Sequence, residues 1–303
     1  MTRLWARAPA KVNLCLLVGG VRGDGRHEVL TVLESVSLCD ELTLTVLGED
    51  AGADEVVCPG VEGPNLVMAA LQGLRSRGWK GPRVSIEIVK RIPVAGGMAG
   101  GSADAAAALR LAEALHPVRD DVIAAVAAEL GSDVPSQLVP GVWIGTGAGE
   151  LVEPGQPLGT HAFVVVPSAF ALSTADVYRE ADRLRGLRSM EELSSALEAV
   201  RVLLSLPGGS LPAELAVNDL EPAAIALRPE IAQVLDDVGA AGADGTLVSG
   251  SGPTVLGLLW GEDAADRAEA LAAELSGRYP GACTAEPVEA GFGQPSPRSG
   301  TIP

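Results

Sequence analysis

The chain has 303 residues and a formal net charge of −17, a size at which one core commonly gives way to two. Its acidity weighs against broad contact with nucleic acid or anionic membrane. No apolar run is long enough to cross a bilayer, and Met1–Ala8 lacks a hydrophobic signal core, so a cytoplasmic protein is expected.

In chain order, Lys11–Val18, Val29–Val36 and Glu41–Val46 are predicted strands, separated by turns such as Arg22-Gly23-Asp24-Gly25. Asn65 is placed to cap a helix whose Leu66, Ala69, Ala70 and Leu74 share one face and which Gly78 ends. A strand over Val84–Ile92 leads through a glycine-rich loop into an alanine-rich helix, Ala103–Leu115. Asp120 is placed to cap a second helix ending at Gly131, and Gly141–Gly145 is a further strand. Pro and Gly cluster over Glu153–Thr160, the expected domain boundary. Residues 1–155 and 156–290 are then two domains, and 291–303 a disordered tail.

The second half opens with a strand, His161–Val166. Helices follow at Ser173, with Asp176 placed as in a capping box, and at Ser189, with Glu192 completing one. Pro207–Pro212 breaks the chain before a short helix after Asn218. Strands Thr246–Ser249 and Val255–Leu259 flank a Gly250-Ser251-Gly252 turn, and a last helix spans Asp263–Ser276. Strand clusters followed by helices, without strict alternation, predict an α+β fold.

Four cysteines (Cys15, Cys39, Cys58, Cys283) lack C-x-x-C spacing and lie in or beside apolar runs, as buried reduced thiols do. His27-Glu28 lacks the second histidine of H-E-x-x-H, and the Ser251 region lacks G-x-S-x-G. Zinc hydrolysis and a nucleophile elbow are therefore disfavoured.

The most informative segment is Pro93-Val94-Ala95-Gly96-Gly97-Met98-Ala99-Gly100-Gly101-Ser102-Ala103-Asp104. Glycines at a strand-to-helix junction free backbone N–H groups beside the positive end of a helix dipole. Such a cradle suits a di- or triphosphate, and hence phosphoryl transfer. It is neither a P-loop, whose last glycine is followed by Lys and a hydroxyl residue, nor G-x-G-x-x-G. The plainer alternative is a flexible connection with Ser102 as N-cap. In so acidic a chain the cations meeting a phosphate must be few and local, or supplied by Mg²⁺.

Three segments resemble, in order and spacing, the superfamily containing galactokinase, homoserine kinase, mevalonate kinase and phosphomevalonate kinase. They are Ala8-Pro9-Ala10-Lys11-Val12-Asn13-Leu14, the glycine loop, and Ser249-Gly250-Ser251-Gly252-Pro253-Thr254. Within it, Asp24-Gly25-Arg26-His27-Glu28, Leu130-Gly131-Ser132-Asp133-Val134-Pro135 and Asn218-Asp219-Leu220-Glu221 resemble one branch. That branch phosphorylates a hydroxyl of a cytidine-diphosphate-linked sugar alcohol in non-mevalonate isoprenoid synthesis. The resemblance implies a two-domain α+β small-molecule kinase with its active site in the inter-domain cleft. It also implies ATP with Mg²⁺, a small-molecule substrate, and a monomer or homodimer. Another kinase of the superfamily, acting on mevalonate, homoserine or a sugar, stays open, as does a nucleotide-binding regulator without catalysis.

The resemblance further implies that Lys11 and Asp133 act at the reacting hydroxyl. An aspartate can take or orient its proton while a lysine offsets developing charge. Residue by residue, Asp133 would otherwise be an N-cap before Pro135, and Lys11 an edge-strand lysine. Pro93 through Ala103 are implied to hold the ATP phosphates, with Ser102 contributing; Asp104 reads as structural. Asn13, His27, Lys90 and Thr174 are implied contacts to the cytidine or erythritol part. Gly250, Ser251 and Gly252 are implied to reach the substrate phosphates, where the alternative is a plain hairpin turn. Two departures stand out. Arg26 replaces the usual Tyr, and its planar guanidinium can stack on a base or pair with a diphosphate. Ser136-Gln137 stands where apolar or aromatic residues are expected.

Overall fold

The computed structural model describes residues 2–48, 50–61 and 63–297. In the first half the order is β1 (Arg3–Val21), β2 (His27–Val46), β3 (Glu55–Val57), α1 (Leu66–Ser76), β4 (Val84–Val89) and α2 (Gly100–Leu115). Then come α3 (Asp120–Leu130), α4 (Val134–Gln137), β5 (Val142–Thr146) and β6 (Leu151–Pro154). The second half runs β7 (His161–Val166), α5 (Thr174–Leu184), α6 (Met190–Leu203), α7 (Glu221–Leu227) and α8 (Glu230–Ala240). It ends with β8 (Gly245–Val248), β9 (Val255–Trp260), α9 (Ala264–Ser276), β10 (Cys283–Ala285), a 3-10 turn (Ala290–Gly293) and β11 (Ser296–Pro297).

Two sheets organise these elements into a two-domain α+β fold. The first has the order β11-β1-β2-β4-β3, with β5 on β2 and β6 on β5; the second has the order β10-β7-β9-β8. The segments predicted as separate strands over Val29–Val36 and Glu41–Val46 form one strand, β2. It stays continuous because β1 pairs along its length, the register shifting between Pro9 and Ala10, while Glu41–Val46 also pair with β4 and Thr31–Glu34 with β5. Asp120 is the first helical residue, not the cap: Arg119 holds the N-cap position and makes no side-chain cap bond. The helices at Ser173 and Ser189 begin as expected, and Ser189 with Glu192 forms a full capping box.

The chain crosses between sheets over residues 155–160, yet the two domains share a core. Strand β7 is buried along its whole length. Phe163 and Val165 join the cluster of Leu14, Leu30 and Leu42, whereas Ala162, Val164 and Val166 join Val238, Ala268 and Leu271. Strand alternation thus gives one face of the second sheet to the first domain and the other to α8 and α9.

The tail expected to be disordered is ordered through Pro297. Ser296 and Pro297 pair with Trp5 and Leu4, and the buried Arg110 guanidinium donates to the carbonyls of Gly293, Gln137 and Arg7. Residues 298–303 lie outside the described residues. The four cysteines are unbridged; Cys15 and Cys39 are buried as expected, but Cys58 and Cys283 are only half-buried. Among the described residues no helix is long and apolar enough to cross a membrane.

Candidate active site

Alternation along β1 sends Ala10, Val12 and Leu14 into the core and leaves Lys11 and Asn13 together on the other face. There Lys11 Nζ donates to Asn13 Oδ1 at 2.6 Å, and Asn13 Nδ2 donates to Thr31 Oγ1 at 2.8 Å. The Thr31 hydroxyl donates in turn to the Cys15 carbonyl at 2.7 Å. This chain of bonds fixes a nearly buried ammonium at the junction of the two sheets.

Two loops close on that ammonium. The glycine loop keeps its predicted length but starts and ends three residues earlier, because β4 ends at Val89 and α2 already starts at Gly100. Ser102 therefore lies in the first turn and does not cap it. Ala99 is the N-cap residue, left-handed at φ 52° and without a side-chain cap bond. The first-turn N–H groups of α2 thus have no side-chain acceptor at their cap, as an anion site requires. The second loop follows β8. A Cβ on Gly97, at φ +79°, would lie 2.1 Å from the Ser249 carbonyl oxygen, so only glycine fits where the loops meet. Gly250, at φ +57°, abuts Gly97 O, Asn13 Oδ1 and Lys11 Nζ. The turn expected as a possible plain hairpin is therefore packed on both the glycine loop and Lys11.

Asp133 reaches the same place from the first turn of α4. It occupies the N-cap position but makes no side-chain cap bond, so its carboxylate is not spent on the helix. Its Oδ2 lies 3.9 Å from Lys11 Nζ. Thr174, at the start of α5, shares a 2.9 Å hydroxyl–hydroxyl hydrogen bond with Ser251. One turn on, Tyr178 has its ring centroid 5.0 Å from that of His27, whose Nε2 is 2.8 Å from Asp182 Oδ1. Burial, and then the negative charge of Asp133, push the Tyr178 phenol up to about 12. A neutral ring thus stands beside His27 and within reach of the Asp133 charge.

Lys90 and Arg26 are not brought into this cluster. Lys90 Nζ pairs with Asp40 and, at 2.7 Å, with Asp104, beneath Gly100 at the start of α2. Asp40 is fully buried and also accepts the N–H groups of Arg91 and Ile92. Burial, against the opposing charge of Lys90, pushes the Asp104 carboxyl up to about 7. Arg26 is exposed, with its guanidinium on Asp24 at 3.0 Å and on Glu150 at 3.4 Å. The flanking carboxylates hold it in the β1–β2 turn.

Two residues given no role from sequence belong to the site. One is Tyr178, whose signal was only its spacing of one helical turn from Thr174. The other is Asn218. Its Nδ2 donates to the carbonyls of Val248 and Gly250, each at 2.7 Å, and its Oδ1 accepts the Leu220 N–H at 2.9 Å.

Comparison with known proteins matches residues 65–141 to the GHMP kinases N terminal domain and residues 189–276 to the GHMP kinases C terminal domain. The chain is 44% identical over 282 residues to the 4-diphosphocytidyl-2-C-methyl-D-erythritol kinase of a Nocardioides species, covering 89% of this chain and 92% of that one. The protein of the same name from Thermobifida fusca is 43% identical over 295 residues, covering 93% and 94%. Among solved structures, a 4-(cytidine 5'-diphospho)-2C-methyl-D-erythritol kinase superposes with a TM-score of 0.71 at 32% identity over 97% of both chains. Homoserine kinase from Cytophaga hutchinsonii shares the fold, with a TM-score of 0.68 at 18% identity over 98% of this chain and 97% of that one.

Proposed function

The chain belongs to the GHMP kinase family, and from that premise we propose that it transfers the γ-phosphoryl group of ATP to the 2-hydroxyl of 4-diphosphocytidyl-2-C-methyl-D-erythritol, in non-mevalonate isoprenoid synthesis. The observation that carries the reading is Lys11 Nζ, 3.9 Å from Asp133 and packed against a Gly250 turn that itself abuts Gly97. One point thus adjoins an acceptor-handling carboxylate, a cation and a phosphate loop.

Each residue has a task in this chemistry. Asp133 accepts, or orients, the proton of the attacking hydroxyl. Lys11, held by Asn13, offsets the charge that spreads over the transferred group. The first-turn amides of α2 with Gly97 and Ser102 hold the polyphosphate. The Tyr178 ring offers a flat face to the base, with His27 beside it and the Thr174 and Ser251 hydroxyls between that end and Lys11. The residues present suit ATP, since the α2 N-terminus lacks a side-chain cap and the Gly97 contact admits no Cβ. Among the described residues no three His, Cys, Asp or Glu side chains gather as a metal cage. Mg²⁺ would come with the nucleotide, ligated largely by phosphate oxygens and water, and would supply charge neutralisation.

The test is ATP consumption by the purified protein with Mg²⁺ and 4-diphosphocytidyl-methylerythritol, with mevalonate, homoserine and galactose in parallel. Turnover with the cytidine compound alone supports the reading. Turnover with another acceptor overturns the substrate and keeps the kinase. ATP binding without turnover on any of them points to a regulator.

A further inference from the structure

Thr254 closes the turn that begins at Ser249, its carbonyl accepting the Ser249 N–H at 2.9 Å. Its side chain is fully buried, and its Oγ1 has no hydrogen-bond partner among the described residues. A buried hydroxyl without a partner is destabilising. Valine would supply the same branched shape without that cost, so packing alone does not account for the hydroxyl.

The hydroxyl faces the glycine loop. A Cβ built on Gly96 would lie 2.8 Å from Thr254 Oγ1. The loop at this point is lightly held: the Gly96 N–H reaches only the Pro93 carbonyl, at 3.3 Å. On either side, Ala95 and Ala99 sit at φ 55° and 52°, the left-handed region that alanine disfavours. A peptide so held can turn at small cost. One bond already crosses the junction here, from Ser249 Oγ to the Gly97 carbonyl at 3.3 Å.

We propose that Thr254 is a positioning residue for the glycine loop: when a polyphosphate seats at the start of α2, the loop backbone at Gly96 turns to accept the Thr254 hydroxyl, which pins the loop across the junction of the two sheets. The proposal rests on the kinase reading above and deepens it, giving a task to a side chain outside the site set.

The test compares Thr254→Val, which keeps the shape and removes the hydroxyl, with Thr254→Ser, which keeps the hydroxyl. Calorimetry with MgADP reads nucleotide affinity, steady-state kinetics read KM for ATP and for the acceptor, and thermal melting without nucleotide reads stability. Thr254→Val is expected to melt at or above the wild-type temperature, since an unsatisfied group is gone. It is expected to bind MgADP about five- to tenfold more weakly and to raise KM for ATP in proportion, with the acceptor KM little changed. Thr254→Ser is expected to restore binding. A Thr254→Val protein that binds MgADP like wild type overturns the proposal. So does a Thr254→Ser protein as weak as Thr254→Val, or a Thr254→Val melting temperature well below wild type, which would mark a purely structural role. Wild type that binds no MgADP overturns the phosphate-loop reading itself, and the proposal with it.

Discussion

Asn218 holds Gly250. From the segment before α7, its amide binds the carbonyls of Val248 and Gly250 while its oxygen accepts the Leu220 N–H, leaving no side-chain hydrogen-bonding group idle. Gly250 in turn abuts Lys11 and Gly97. The turn that packs on Lys11 is therefore held by Asn218, whose side-chain hydrogen bonds go to Val248, Gly250 and Leu220.

Asn218→Ala would leave two buried carbonyls and one N–H without this partner, at a stability cost of about 1–3 kcal/mol. The expected kinetic effect is a kcat lower by roughly ten- to a hundredfold as the turn relaxes away from Lys11. Chemical denaturation and steady-state kinetics check both. An unchanged kcat in a destabilised protein would limit Asn218 to the fold.

Asp133→Asn keeps shape and removes the carboxylate proposed to accept or orient the hydroxyl proton. Because the Asp133 side chain makes no cap bond to α4, little stability should be lost with the charge. The expectation is a turnover about 10²–10⁴-fold slower, the usual range for a general acid–base group, with nucleotide affinity unchanged. Turnover near the wild-type rate would remove Asp133 from the chemistry.

Ala99 is an alanine in a glycine conformation, at φ 52° in the N-cap position of α2. Ala99→Gly relieves the clash between Cβ and carbonyl while adding unfolded-state entropy. The net expectation is a gain of about 0.5–1 kcal/mol, read as a higher denaturation midpoint. A loss of stability would mean that the alanine methyl packs better than its backbone strain costs.

His161 links the two sheets through Glu34. Its Nε2 is 2.7 Å from Glu34 Oε2 and its Nδ1 is 2.7 Å from the Gly159 carbonyl, so both ring nitrogens face acceptors. Burial disfavours the imidazolium, but the hydrogen bond and charge of Glu34 outweigh it and raise the pKa above 6.5. A raised folded pKa stabilises fully below the unfolded value and loses that contribution as pH rises through the folded one. Stability is thus expected to fall as pH is raised above about 6.5, and His161→Gln should flatten that slope. Parallel pH profiles for the two proteins would exclude His161 as its source.

Much of this was legible locally. The Lys11-Val12-Asn13-Leu14 alternation, the glycine loop and the Ser189–Glu192 capping box are short-range patterns, and the geometry that each requires is fixed by its own few residues. Helix α8, absent from the predicted elements, has its signal in the spacing of Ile231, Val234, Leu235 and Val238. The continuity of β2 was not legible. A register shift takes up the irregularity opposite Pro9 and Ala10, and only pairing with a neighbour can show that.

The site divides in the same way. Sequence by itself nominated side chains able to carry chemistry, because a lysine, an aspartate and a run of glycines have their properties wherever they stand. Only the tertiary structure decided their partners. It committed Lys90 to two carboxylates, tied Arg26 to Asp24 and Glu150, and left Asp133 free of its helix to face Lys11. It also set Gly97 against Ser249, residues that share no local pattern. The physical reason is that charge pairing and close contact depend on distances of a few ångströms, and across the chain those distances are set by how the two sheets share their core.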